Sequence, residues 1–442
     1  MLRLCLTNHF QGGRGRLTTL ILIVILLVTT TGSAQQNSKL KPVASTMPSV
    51  PADFRSKNFL VHTDLPSEDA KELLNRMETM LGLISRYWGR PNRQVIECYV
   101  VKDLKNWPSG ILHPRGLQSI REGAGITLSA KISQGNAFVA KATVYSVADR
   151  GTPQHEAVHA YCSQTFGRTG PVWYSEGMAE MGQYWRAGNS SVNCRQFVVD
   201  YLRNAKPKSL NEIVNSKEPT GDSWQNYAWR WALCHLLANN SNYAARFRPL
   251  GLQLLTNQEA SFEKIYGLMA KEITFEYSFF LKHLARGYRV DLCSWDWKKK
   301  YRPARGKSVL TAKINARRGW QASRLLLKEG KEYEYTAAGQ WKTSKDSEAV
   351  SADGDRNGRG KLVGLVFHDY QLSEPFELGT SGPFKAPSNG KLLLRCRDKW
   401  GEIADNQGRI TVRFKAKRRR STTPAKIRSS IKPTTNETRA AE

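Results

Sequence analysis

His155 and His159 stand four residues apart, with Glu156 directly after the first. Thr152-Pro153 opens a helix there: a hydroxyl N-cap, then proline at the first helical position, where its missing N–H is no loss. Imidazoles at i and i+4 share one helix face, so both can meet one tetrahedral zinc ion, and Glu156 can reach a water on it. Zinc lowers the pKa of such a water to about 7, so Glu156 can take its proton at neutral pH and pass it to a leaving amine. Sixteen residues separate His159 from Glu176, which lies in Trp173-Tyr174-Ser175-Glu176-Gly177-Met178-Ala179-Glu180. That run reads as the opening of a second helix. Glu176 is placed to be the third ligand of a His₂Glu site whose fourth position stays open for water. Glu180, one turn on, can accept the outer N–H of a ligand histidine and fix its tautomer. The plain alternative is a buried helix with two satisfied histidines and a surface carboxylate.

Positioning these groups requires helices on a sheet. Asn58 to His62 reads as a strand. A helix follows from about Ser67 to Trp88, with Leu73, Leu74, Met77, Met80, Leu81 and Ile84 at helical spacing. Ile96–Val101 and, after a Gly- and Pro-rich stretch, Ala142–Val147 read as strands. Residues 153 to about 286 read as helical, with later helices around Tyr227–Leu237 and Phe262–Leu284. Ser294–Lys307 is a basic connector. Beyond it come short strands split by Gly, Asn and Asp turns, among them Glu332–Thr336, Leu362–Phe367, Lys391–Cys396 and Arg409–Phe414, the pattern of a β-sandwich. The predicted class is α+β: a small sheet with helices, then an all-β sandwich. The predicted units are 1–34 signal, 35–56 linker, 57–293 catalytic domain, 294–307 connector, 308–414 sandwich and 415–442 basic disordered tail.

The N-terminus carries Arg3, Arg14 and Arg16, the apolar run Leu20–Val28, and Gly32 and Ala34 before Gln35. This is the pattern of a cleaved export signal, with a retained anchor as the alternative. No other stretch reads as a membrane span. The expected location is therefore the periplasm, the cell surface or the medium. The formal net charge is +29; the three signal arginines account for three of it, leaving +26 on the mature chain. Such a balance favours anionic or glycan polymers of a cell surface. Nucleic acid is disfavoured as a partner, because an exported chain rarely meets it and no recognition motif stands out. Six cysteines follow the signal, at 98, 162, 194, 234, 293 and 396. They permit three disulfides in an oxidising compartment, with free structural thiols as the alternative, and the absence of a CxxC pair argues against a cysteine metal site.

The pair His155-Glu156-Ala157-Val158-His159-Ala160 and Trp173–Glu180 resembles the gluzincin metallopeptidase signature, most closely that of peptidase-MA-like exported bacterial proteins, over about residues 57–290. The resemblance implies a zincin-like fold, catalytic zinc, a peptide or protein substrate, and Tyr227 as the group that hydrogen-bonds the developing oxyanion. A core aromatic is the alternative for Tyr227, and His235 in its apolar run reads as a core histidine. The gap before Glu176 differs from that of the aminopeptidase branch, so exopeptidase activity is not implied. Residues 308–414 resemble the galactose-binding PA-IL-like lectin sandwich, with Tyr335–Trp341 as a strand ending in a Gly-Gln-Trp turn. That resemblance implies calcium on Asp398, Asp405, Asn406 and the carbonyl of Glu402, oxygen ligands that suit the ion; Asx residues capping a hairpin are the alternative. The lectin family's sugar-contacting His and Gln are missing from Asp353–Gly358, which reads as a turn rather than an EF-hand loop.

Overall fold

The computed structural model describes residues 5–8, 50–134, 137–186, 188–216, 223–256 and 258–417. The apolar run of the expected signal, most of the expected linker and the chain from 418 onward lie outside the described residues. In chain order the first half comprises β1 (Cys5–Asn8), β2 (Ala52–Arg55), β3 (Phe59–Thr63), α1 (Ser67–Trp88), β4 (Ile96–Val101), α2 (Pro114–Arg121), β5 (Gly125–Gln134) and β6 (Ala137–Val147). Helices follow: α3 (Thr152–Phe166), α4 (Val172–Tyr184), α5 (Gln196–Asn204), α6 (Leu210–Val214), α7 (Trp224–Asn239), α8 (Ala244–Leu255), α9 (Phe262–Tyr266), α10 (Ala270–Lys282) and α11 (Val290–Cys293).

The expected helix of residues 67–88 is α1, and every apolar residue of its period is buried. It ends where Gly89 takes the left-handed conformation that glycine alone adopts freely. The six-stranded sheet runs β1-β5-β6-β4-β3-β2, parallel at β3–β4 and β4–β6 and antiparallel elsewhere. Ala52–Arg55, expected within the linker, instead pairs with β3, because alternate residues there can join its open edge. The Gly- and Pro-rich stretch holds α2 and β5. Helix α3 is buried on all sides, as a helix at the centre of a domain must be. Its N-terminus is capped by Asp149, whose Oδ1 accepts the N–H groups of Gly151 and Thr152 at 2.8 and 2.6 Å. Thr152, expected as the N-cap, lies inside the first turn.

The second half comprises β7 (Leu310–Asn315), β8 (Gln321–Leu327), β9 (Glu332–Lys342), β10 (Leu362–His368), β11 (Gln371–Leu372), β12 (Phe376–Glu377), β13 (Ser381–Lys385), β14 (Gly390–Cys396) and β15 (Gln407–Ala416). They form two antiparallel sheets, β11-β10-β14-β8 with β12 beside β10, and β13-β9-β15-β7. Strict alternation along β7 puts Leu310, Ala312 and Ile314 inside, and the two inner faces meet in a core around Leu392, Tyr333, Trp341 and Phe414. Strand β9 runs straight through the expected Gly-Gln-Trp turn. Gly339 sits at φ +118°, where a Cβ would stand 2.7 Å from the Arg409 carbonyl. The tail boundary moves too, since β15 reaches Ala416. The chain is thus α+β with several sheets, the last two forming a sandwich. The six cysteines are all buried and unpaired. Of the two readings the sequence allowed, structural thiols and disulfides, these six are free thiols, each packed into a core. Among the described residues no helix is long and apolar enough to cross a membrane.

Candidate metal centre

Helix α4 starts after Gly170, at φ +86°, and Pro171. Two glycines let it press between its neighbours. A Cβ on Gly177 would stand 2.4 Å from Cys234 Sγ and 2.7 Å from the Arg230 carbonyl on α7, and one on Gly182 would stand 2.5 Å from Val158 on α3. This close packing carries Glu176 to the histidine face of α3. His155 Nε2 and His159 Nε2 are 3.2 Å apart, and Glu176 Oε2 lies 3.2 and 3.3 Å from them. All three residues are 1–2% exposed.

The outer faces of the rings are also engaged. His155 Nδ1 lies 3.0 Å from Glu180 Oε1, and His159 Nδ1 lies 3.2 Å from Ser175 Oγ. With each Nδ1–H turned outward, both Nε2 lone pairs point inward at a carboxylate oxygen. Three buried acceptor atoms in contact are unfavourable unless a positive charge joins them. Burial works against charge on His155, but Glu176 and Glu180, with Glu156 nearby, hold its pKa well above the ordinary value. Burial likewise raises the Glu176 carboxyl, and His159 and His155 outweigh it, leaving that group well below its ordinary range. The centre therefore holds either a proton or a cation. A tetrahedral ion with bonds of about 2.0–2.1 Å has ligand–ligand edges of about 3.3–3.4 Å. The three edges of 3.2–3.3 Å fit that triangle closely, and His155, His159 and Glu176 can hold a metal ion.

Glu156 is 2% exposed and its Oε2 accepts a hydrogen bond from Thr127 Oγ1 at 2.8 Å; the same hydroxyl lies 2.9 Å from the Glu156 carbonyl. Gly125, in the same strand, leaves room for this approach, since a Cβ there would stand 2.7 Å from Glu156 Cγ. Thr127 and Ser175 are site residues that sequence reasoning missed, because isolated hydroxyls have no distinctive spacing. Tyr227, at the start of α7, packs its ring 5.6 Å from that of His155, and the Arg230 guanidinium lies 5.5 Å from the Tyr227 ring. His235 sits two turns further along α7, stacked on Phe280, and burial pushes its pKa down to about 4. It is a core histidine, as expected.

The expected calcium ligands are only partly together. Arg359 contacts Asp398 Oδ1 at 2.9 Å and Glu402 Oε2 at 3.1 Å, so an internal cation already faces both carboxylates. Asp405 is exposed. Asp398 Oδ2 and Asn406 Oδ1 are buried without a hydrogen-bond partner. Asp353–Gly358 is a turn, closed by hydrogen bonds from the Asn357 and Arg359 N–H groups to Asp355 Oδ1.

No protein-family model matches this chain, and no curated protein matches it. Among solved structures, a chain described as "EclA N-terminal domain; PllA-like lectin" is 19% identical with a TM-score of 0.21, over 24% of this chain and 96% of that one. A likeness of that strength fixes neither fold nor ligand here.

Proposed function

We propose that the chain is an exported zinc-dependent hydrolase of gluzincin type, an endopeptidase, whose ion is held by His155, His159 and Glu176. The observation that carries this reading is the buried triangle of two Nε2 atoms and one carboxylate oxygen, with edges of 3.2–3.3 Å, beside an oriented Glu156. Zinc bound there supplies Lewis-acid polarisation of water and of a carbonyl oxygen. Glu156, steadied by Thr127, takes the proton of the attacking water and returns it to the leaving amine. Tyr227, beside His155, donates to the oxygen on which charge develops. Glu180 and Ser175 keep the two imidazoles turned with Nε2 inward. Export is read from the arginines and apolar run of the N-terminus.

Metal analysis of the purified protein should find about one zinc per chain. Glu156→Gln should keep that zinc and lower casein cleavage by roughly 10²–10⁴-fold, the usual contribution of a general base. An unchanged rate in the zinc-loaded variant would sink this mechanism.

A further inference from the structure

The metal triad leaves unused a second concentration of charge close by. Arg150, Arg186, Arg195 and Arg286 line, with Gln183 and Tyr184, an open cavity of about 340 Å³. Four separate segments bring them there: the approach to α3, the exit of α4, the approach to α5 and the turn between α10 and α11. Among the described residues one carboxylate is ion-paired with them, although the Glu180 charge is felt at Tyr184 and Cys194 of the same lining. Asp149 Oδ2 lies 3.0 Å from Arg195 Nη2, while its Oδ1 is taken by backbone N–H groups at the start of α3. Arg186 donates only to the carbonyls of Gln183 and Trp185. Burial, and then the charges of Arg150 and Arg76, hold its guanidinium below the ordinary range. Arg76 itself is paired with Glu72 at 2.7 Å. Among the described residues Arg150, Arg186 and Arg286 thus have no carboxylate partner.

Like charges gathered at one cavity repel unless a counter-charge joins them. A single carboxylate would occupy one guanidinium fork and leave two. A phosphate or sulfate group presents several oxygens at once and matches converging forks. We propose that this cavity binds a multiply charged tetrahedral oxyanion, a phosphate or sulfate group. The site lies just behind a metal-ligand histidine. Gln183 packs against Gly151, where a Cβ would stand 2.0 Å from its Oε1. Its Nε2 donates to Glu180 Oε2 at 3.0 Å, and Glu180 Oε1 faces His155 Nδ1. Two side chains therefore separate the anion cavity from His155.

Isothermal titration of the full chain at fixed ionic strength, with inorganic phosphate, sulfate and glycerol phosphate as probes, tests the site. Saturable binding is expected, about tenfold weaker in Arg150→Gln and in Arg286→Gln, which each lose one charge-assisted contact. Both side chains are exposed, so circular dichroism should show an unchanged fold. Binding of inorganic phosphate alone identifies a free ion as the occupant; equal binding of glycerol phosphate identifies an ester. The His155→Ala protein should bind phosphate as tightly as wild type, which separates this site from the metal centre. No saturable heat with any probe, or wild-type affinity in the double arginine variant, would overturn the proposal. So would loss of binding in His155→Ala alone.

Discussion

Glu180 touches His155 through one carboxylate oxygen and Gln183 through the other. Such a group would orient a ligand rather than bind an ion held by the triad, and removing partners of this kind costs about 10–100-fold in metal affinity. Glu180→Ala should show that loss in competition with a chromophoric chelator, with Glu180→Gln falling between it and wild type; equal affinity in all three would mean that His155 needs no outer partner. His155, Glu156, His159 and Glu176 were legible because spacing along two helices is a local property of sequence. Thr127 was not, since its contact with Glu156 joins residues 29 apart across a strand and a helix. His235 offers a separate test at this scale. Burial holds its folded pKa at about 4 against an ordinary value of about 6.5, so between those values the unfolded chain binds a proton that the folded one does not. Stability is therefore present above about pH 6.5 and lost as pH falls toward 4, by about 3 kcal/mol at 1.36 kcal/mol per unit. Urea midpoints measured from pH 7 to 4.5 should fall less steeply in His235→Leu than in wild type. Parallel slopes would show that His235 does not titrate this way.

At the scale of elements, α4 is the piece that makes the centre, because it must touch α3 and α7 at once. Gly177 allows the second contact, and no larger residue fits without moving α7. Gly177→Ala should cost about 1–3 kcal/mol, the range for overpacking a filled core. It should also weaken zinc retention, since Glu176 is its neighbour. A urea midpoint equal to wild type would show that α7 yields without cost. Elements with strong periodicity were read to the residue, as with α1 and β4. Those without it were missed or merged. Strand β5 (GITLSAKISQ) mixes small, polar and apolar residues without a clean alternation, and α2 is only eight residues long. The expected helix Phe262–Leu284 is divided where Gly267–Met269 tightens into a 3₁₀ turn. Gly267, a weak helix former, marks the break, but a lone glycine inside a helical pattern is often tolerated, so the apolar period carried the reading across it.

For the whole molecule, the switch from helices to strands near residue 294 was legible, but the joint between the halves was not. Val363, Leu365 and Phe367 on β10 alternate with the inner-facing Leu362 and Val366. They pack against Phe279 of α10 and against Trp295 of the expected connector. Arg395 lies over Trp400, 3.8 Å from its ring centroid, at the same seam. Glu276 of α10 accepts hydrogen bonds from Tyr243, Asn240, Asn242 and Trp297 at 2.6–3.0 Å, anchoring the connector to the helices. A strand buried on both faces reads as a continuous apolar run, and sequence alone does not say what covers its second face. Here that cover is the helical half, so a buried apolar seam joins the two cores and the halves should unfold together. Calorimetry of the full chain should give one transition. Phe367→Ala removes an aromatic that contacts Phe275, Trp295 and Trp297, at a cost of about 3–5 kcal/mol. The loss falls on the seam rather than on the inner core of either half, so the variant should separate into two transitions. Tryptophan fluorescence, with Trp295, Trp297, Trp320 and Trp400 all at the joint, should follow the earlier one. Two transitions in the wild type would mean that the seam contributes little. By the same reasoning a fragment beginning near residue 300 would leave Val363, Leu365, Phe367 and Leu393 without Phe279 and Trp295, and should associate more readily than the full chain in sedimentation at equal concentration.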